Sequence, residues 1–521
     1  MVVPIYVYSI LFAVTTVLLV ARKATRLIEK RKYIREHGCQ PPTTLRNRLP
    51  FGIDRIREML SAAREKRFQE MMQGRYLQTG NTFQSTIFGR SYIFTIDPRN
   101  VQTVLALKFK DFDLGDNRNY AFRPLLGQGI FCSDGPIWEH SRALVRPNFI
   151  RNQVADINVY EAHVSNLLKL IPCTGSMVDL QDLFFRMVPT YITLPHIYTL
   201  ADERGKQTID SATEFLFGES VHTLAPNHSA AAASFAADFN QAQDGLAFRI
   251  RIGLLAKFHR SSEFVGAVRR SRAYVDQFVQ KAIRLRQSPD HGESKDTNQH
   301  YVFLHELSKQ TVDATELADQ LLNILLAGRD TTASLLSMVF FTLARRQDVW
   351  KNLKTEVDLL DGRRPSFTDL KGMTYLTWVL NETLRLYPVV PTNIRMANKD
   401  TYLPVGGGPD GKSPVFVPKG MDVVYTTYSM HRLQSVYGPD AEEFRPERWD
   451  KLKPGWGYIP FNGGPRICVG QQFALTEAGY TTVRILQEFK SIELRDPEPW
   501  MEALTLTMAS KNGVKVAMVP V

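Results

Sequence analysis

The chain has 521 residues, 44% of them hydrophobic and 22% charged, an ordinary globular balance with ample apolar side chain for a large core. Four cysteines occur, at 39, 132, 173 and 468, and none forms a CxxC pair; this argues against a disulfide framework or zinc module and fits a reducing compartment. A formal net charge of +11 points to an anionic partner, whether nucleic acid, anionic lipid or an acidic protein.

The first residues narrow that choice. Pro4 to Ala21 carries no charge, and its helical length of roughly 27 Å matches a bilayer's hydrocarbon core. No Lys or Arg precedes the run and no small-x-small cleavage site follows it, so a retained signal anchor is expected rather than a cleaved peptide. Arg22, Lys23, Arg26, Lys30, Arg31, Lys32 and Arg35 flank it, which places Met1 on the lumenal side and the remainder in the cytosol. The expected organisation is a transmembrane anchor at 1–21, a basic and proline-containing connector at 22–50, and a body at 51–521. The basic excess is then assigned to membrane and protein partners, with no nucleic acid.

In the body, Phe83 to Ile96 alternates and is rich in aromatic and β-branched residues, with Gly89-Arg90 in its middle, which predicts a hairpin. From about 137 to 385 the pattern is mostly helical, interrupted by a polar exposed loop at Ser288 to Asn298. Strand-like pieces return between Tyr402 and Tyr428 around Gly406-Gly407-Gly408, and again between Ile492 and Val519. The glycine triplet lacks a GK[ST] partner, and Pro409-Asp410-Gly411 after it reads as a turn, so a phosphate loop is not expected. The fold class expected is mainly α (α+β): a large helical domain with small β-sheets plus the N-terminal helix.

The chemistry concentrates at Phe461-Asn462-Gly463-Gly464-Pro465-Arg466-Ile467-Cys468-Val469-Gly470, followed by a helical run from Gln471 to Leu486. A lone cysteine is usually a small core residue. Here glycines allow close backbone approach to a flat macrocycle, and a helix N-terminus can stabilise a thiolate. The pattern F-x-x-G-x-R-x-C-x-G has a chance occurrence on the order of 10⁻⁴ in this length, so coincidence is rejected.

This segment resembles the haem-binding loop of the cytochrome P450 superfamily, and three further motifs resemble that family in order, from the anchor to the C-terminus. The resemblance implies haem b with Cys468 as the axial thiolate and metal ligand. Asn381-Glu382-Thr383-Leu384-Arg385 resembles its E-x-x-R helix, and Pro446-Glu447-Arg448-Trp449 its partner motif, with Trp449 where the family usually has Phe. Glu382, Arg385 and Arg448 are therefore expected as a buried structural triad. Leu326-Ala327-Gly328-Arg329-Asp330-Thr331-Thr332 resembles the oxygen-activating kink of the central helix, which makes Asp330 and Thr331 the expected proton relay. Trp138-Glu139-His140-Ser141-Arg142 resembles the W-x-x-x-R helix; Trp138 and Arg142, with Arg395, Phe461 and Arg466, complete the expected cofactor-binding set.

Further stretches, among them Glu214 to Val221, Gly406 to Pro414 and Gly470 to Glu477, resemble the fungal microsomal n-alkane and fatty-acid hydroxylases. They imply a monooxygenase that inserts one atom of O2 into a long aliphatic chain, with electrons from NADPH through a separate flavin reductase. The implied location is the endoplasmic reticulum membrane, single-pass, with the catalytic domain cytosolic. The substrate pocket is expected at Phe122, Phe215, Phe217, Ile324, Val389, Val390 and Leu506. A large apolar pocket also suits oxidative tailoring of a fungal polyketide or terpene. Two readings from other classes are a haem-thiolate isomerase or dehydratase, which would often lack the Asp330-Thr331 pair, and a non-catalytic haem sensor.

Overall fold

The computed structural model describes residues 5–149, 157–187, 230–259, 261–287 and 303–521. Phe215, Phe217 and the polar stretch from Ser288 to Asn298 lie outside the described residues. The chain divides into two compact units: Met1–Glu58, Met72–Asp113 and Ile394–Tyr425 in the first, and Met59–Met71, Leu114–Asn393 and Thr426–Val521 in the second.

The first unit carries the N-terminal helix α1 (Ile5–Glu36) and most of the strands: β1 (Thr43–Leu45), β2 (Thr82–Ile87), β3 (Arg90–Thr95), β4 (Phe112–Asp113), β5 (Thr392–Ala397), β6 (Thr401–Gly407), β7 (Ser413–Val417) and β8 (Asp422–Thr426). One sheet runs in the order β1-β2-β3-β8-β5-β4, and β6 pairs with β7 alone. The hairpin expected from sequence is β2–β3. Its turn falls at Phe88-Gly89, both at positive φ (50° and 74°), the backbone that matches the right-handed twist of the flanking strands. Phe83 pairs with Phe94 across the strands, and their rings stack at 5.0 Å.

Helix α1 does not end with the apolar run but continues through the basic stretch to Glu36, before Pro41-Pro42. Phe12 to Val20 is exposed throughout. The helix's far end is held: Tyr33 stacks on His37 (4.1 Å), His37 meets Tyr402 (4.8 Å), and Tyr33 meets Phe416 edge-on (5.6 Å). The glycine triplet receives the chain that follows. Gln40 N–H donates to Pro414 O (2.8 Å) and Gly408 N–H to Pro41 O (3.0 Å). A Cβ on Gly407 would lie 2.4 Å from Gln40 O, so only glycine lets the proline linker approach.

The second unit is helical. Its principal elements are α2 (Asp116–Leu126), α3 (Gly135–Val145), α4 (Ala230–Ile252), α5 (Ser262–Gln287), α6 (Ala314–Arg345), α7 (Thr374–Leu386) and α8 (Gln471–Glu488). The unit also holds a three-stranded antiparallel sheet (Phe489–Leu494, Lys515–Pro520, Met177–Asp179) and a hairpin of Glu502–Leu504 with Met508–Ser510. Asp313 caps α6, accepting from the N–H groups of Thr315 (2.8 Å) and Glu316 (3.2 Å). By length and composition α6 is apolar enough to cross a membrane, but 76% of its most apolar stretch is buried in protein, as in a core helix. Its first half, Leu317 to Leu325, joins an apolar cluster with α2, α4 and α5. Its second half, Ala333 to Ala344, joins another with α7 and α8.

Truncation tests the held end of α1. Removing residues 1–32 spares the Tyr33–His37 stack and the linker hydrogen bonds, and should leave the melting temperature of the purified protein unchanged. Removing 1–42 strips two aromatic contacts and two backbone bonds, and should cost about 3 kcal/mol or more. Equal melting temperatures for the two truncations would show that the contact carries no stability.

Candidate functional site

The glycines around Cys468 have identifiable work in packing. A Cβ on Gly463 would lie 2.5 Å from the Trp456 ring, and Gly464 turns the chain at φ 66°. Asn462 sits in the left-handed region (φ 65°), which Asn tolerates, and its amide reaches Arg466 O at 3.4 Å. The loop closes where Cys468 N–H donates to Phe461 O (3.0 Å). Two residues later Gly470 opens α8, so the sulfur stands at a helix N-terminus.

The Cys468 thiol opens on a cleft of about 670 Å³, walled by Trp138, Arg142, Arg146, Phe149, Gly464, Pro465, Ile467 and Val469. That volume is in the range of cofactor sites. The cysteine is exposed to the cleft yet enclosed by protein on its other sides. Enclosure raises the thiol pKa, while the Gly470 N–H and the Arg142 charge pull it back down. Helix α3 supplies Trp138 and Arg142 four residues apart on one face, with the guanidinium 5.9 Å from the indole centroid. Burial lowers the Arg142 pKa, opposed by Cys468. Among the described residues none hydrogen-bonds the Arg142 guanidinium, which leaves it available to an anion in the cleft.

Arg466 is engaged differently. It lies over Trp138 (4.3 Å), donates to Ser133 O (3.1 and 3.2 Å) and pairs with Asp134 (2.7 Å). Arg395 belongs to the first unit, where it donates to Ile394 O (2.8 Å) over the Tyr425 ring.

On α6, Thr331 Oγ1 donates to Ala327 O (2.8 Å), one turn back. Asp330 is buried and accepts from the side chain of Gln243 on α4, a residue not singled out from sequence. The helix is buried on both sides of this point, but Gly328 is exposed and a Cβ there would meet nothing within 4 Å. Of the expected pocket residues, Phe122, Ile324 and Leu506 gather at the cluster of α2, α4 and α5, joined by Ile130, Phe131 and Leu326. Val389 and Val390 pack against the other cluster, and Val389 O accepts Met508 N–H (2.9 Å) from the strand just after Leu506.

Glu382, Arg385 and Arg448 are brought together in full burial. Arg385 donates to Glu382 through Nε and Nη2 (2.9 and 2.8 Å), and Arg448 through Nε (2.9 Å). Arg445 N–H and Trp449 Nε1–H add one bond each at 2.9 Å. The indole therefore does something the phenyl ring usual in the family cannot. His431, fully buried, accepts Ile459 N–H at Nε2 (3.0 Å), so its proton sits on Nδ1, facing Arg385 O (3.3 Å).

The family described as Cytochrome P450 matches residues 50–516. The chain is 46% identical over 491 residues to cytochrome P450 monooxygenase himC of Aspergillus japonicus, covering 92% of this chain and 84% of the relative. It is 42% identical over 518 residues to cytochrome P450 monooxygenase FPY7 of Fusarium mangiferae, covering 97% and 95%. It is also 42% identical over 527 residues to cytochrome P450 52A13 of Debaryomyces hansenii, covering 97% of each.

Glu382→Ala leaves two buried guanidinium groups without their counter-charge and should cost about 3–5 kcal/mol, read as loss of folded protein. His431 adds an acid limit. Desolvation, reinforced by the Arg385 charge, lowers its pKa from 6.5 to about 3. Between those values the unfolded chain binds the extra proton, so stability is whole above the unfolded pKa and falls as pH drops toward the folded one. The slope approaches about 1.4 kcal/mol per pH unit. Denaturation midpoints across this range should fall less steeply for His431→Gln than for the wild type; parallel curves would dismiss the assignment.

Proposed function

The chain belongs to the cytochrome P450 family and is a monooxygenase, and on that premise we propose that it hydroxylates a long aliphatic chain, a fatty acid or n-alkane, at or near its terminus. The observation that carries this reading is exposed Gly328 midway along α6, where a Cβ would meet nothing within 4 Å, just after Ile324 and Leu326, which belong to one apolar cluster with Phe122, Ile130, Phe131 and Leu506. Apolar side chains of this kind hold an alkyl chain through area and shape rather than through hydrogen bonds. The stretches resembling fungal microsomal alkane and fatty-acid hydroxylases support the same substrate class.

Family membership brings haem with thiolate ligation, electrons from a redox partner and a hydrophobic substrate. The residues present fit the haem: a thiol facing a cleft, glycines beside it, and two arginines on the wall. In our reading Cys468 is the ligand, Phe461 closes its loop, Trp138 and Arg142 hold a carboxylate of the group, Arg466 is assigned to the same end, and Arg395 is assigned to haem binding from the family resemblance alone. Bound there, haem supplies dioxygen activation, with electron density from the sulfur favouring O–O cleavage. Thr331 Oγ1 holds a proton against Ala327 O one turn from Gly328, and rotation of the hydroxyl carries it to the open side. Asp330, steadied by Gln243, replenishes that proton. We assign residues 1–21 to a single membrane crossing in the endoplasmic reticulum, 22–50 to the connector and 51–521 to the cytosolic catalytic domain. We assign the electrons to NADPH through a flavin reductase, with Arg146, Lys451 and Lys453 as basic docking residues.

Incubating reductase-supplied microsomes with alkanes, fatty acids and polycyclic compounds, followed by mass spectrometry, should give hydroxylated aliphatic products. Exclusive turnover of polyketides or terpenes would move the assignment to secondary metabolism. Cys468→Ser should abolish turnover and the thiolate-type haem spectrum. Thr331→Ala should keep its haem and consume NADPH, but release more hydrogen peroxide and less product per NADPH. Unchanged coupling at full haem occupancy would rule out the relay.

A further inference from the structure

Three polar side chains on two adjoining turns interrupt the apolar first half of α6. Asp319, Gln320 and Asn323 are all buried there; Asp319 and Asn323 bond directly to the segment that follows α2, and Gln320 reaches it through Ser141. Asn323 donates from Nδ2 to Leu126 O (2.8 Å) and accepts Phe131 N–H at Oδ1 (3.1 Å). Asp319 accepts Gln128 N–H (2.8 Å) and pairs with Arg272 of α5 (2.7 Å), which in turn donates to Leu125 O (2.8 Å). Gln320 donates to Ser141 Oγ (3.0 Å), and Ser141 donates to Gln128 O (3.1 Å).

The segment is shaped to receive these side chains. Gly127 lies at φ 57°, and a Cβ on it would fall 2.0 Å from the Asp319 carboxylate. A Cβ on Gly129 would fall 2.0 Å from Asn323 Nδ2. Two glycines thus fit two polar side chains, and the bonds that Asp319 and Asn323 make to the segment go to its backbone. Such a contact fixes where the segment runs, whatever side chains it carries. The side chains it presents are Ile130 and Phe131, which are half-buried and pack against the same apolar cluster as Leu326 and Leu506.

We propose that Asp319 and Asn323 are positioning residues that hold the 126–131 segment on α6, and so set how an alkyl chain passes Ile130 and Phe131 on its way to the haem. The inference rests on the reading of Phe122, Ile324 and Leu506 as pocket residues. Buried polar groups on a helix that could have been wholly apolar are costly unless fully bonded, and here the bonds go to the pocket wall.

The test uses two iron ligands on the full-length, haem-loaded chain, followed by the Soret shift. Imidazole reaches the iron without spanning the rim, whereas N-dodecylimidazole must lay its chain along it. Asn323→Ala and Gly129→Ala should each weaken N-dodecylimidazole about tenfold relative to imidazole, and Gly129→Ala should add little in the Asn323→Ala background, where the clash is gone. Asn323→Ser replaces Asn323→Ala if the latter fails to retain haem. Equal weakening of both ligands would mean a general disturbance and overturns the proposal. A wild-type preference for the dodecyl chain that all variants keep overturns the proposal alone. A wild type with no such preference overturns the aliphatic reading and this inference with it.

Discussion

One buried carboxylate organises the ground on which the cysteine loop stands. Glu382 accepts five N–H groups, from Arg385 twice and from Arg445, Arg448 and Trp449. The chain from 431 to 460 has little regular structure, so its carbonyls need partners that a helix or sheet would otherwise provide. The two guanidinium groups supply them. Arg385 donates to the carbonyls of His431, Ala441 and Glu443, and Arg448 to those of Tyr437, Asp440 and Glu443. Neutral His431 then passes the restraint on to Ile459, and Cys468 hangs from Phe461 two residues beyond. A buried ion cluster is poor evidence of net stability. Its value here is that the carboxylate and both guanidinium groups are answered together while five carbonyls of an irregular segment are bonded in one arrangement.

The cysteine side of the cleft and the loop after α2 are also joined. Ser133 and Asp134 hold Arg466, two residues before the sulfur, while Asp134 also accepts the N–H of Leu114 and the amide of Asn119. A guanidinium next to a cofactor site would ordinarily be read as waiting for an anion. Its pairing with Asp134 gives Arg466 a second role, tying the loop ahead of α3 to the loop ahead of α8. Arg142, by contrast, has no hydrogen-bond partner among the described residues and lines the cleft beside Cys468.

What could be read from sequence was local. The β2–β3 hairpin follows from alternation plus a glycine, and the Glu382–Arg385 pair from a three-residue spacing on an apolar helix. The Cys468 loop follows from a dense motif. What could not be read depends on chain brought from far away. Nothing near Asp330 announces Gln243, and nothing near Gly127 or Gly129 announces Asp319 and Asn323. Nothing near Trp449 in the sequence announces that its indole N–H donates to Glu382. Gly407 and Gly408 owe their lack of a side chain to Gln40 in a proline linker more than 360 residues earlier, and Gly406 owes its own to Thr82.

That linker changes how the N-terminal helix should be regarded within its unit. A proline-containing connector is stiff and extended, and α1 before it runs on through its basic turns and ends in an aromatic contact with Tyr402 and Phe416. Lys30 lies over Phe416 at 5.2 Å and Lys108 over Tyr402 at 3.1 Å, so cations close the stack from both sides. The linker then crosses β6–β7 at a place where any side chain larger than hydrogen would collide with Gln40 O. A helix fixed at one end by rings and glycines transmits its direction to the sheet that holds it. If Pro4 to Ala21 crosses a bilayer, the orientation of that sheet toward the membrane is set by packing at Tyr33 and His37 rather than by the length of a flexible linker.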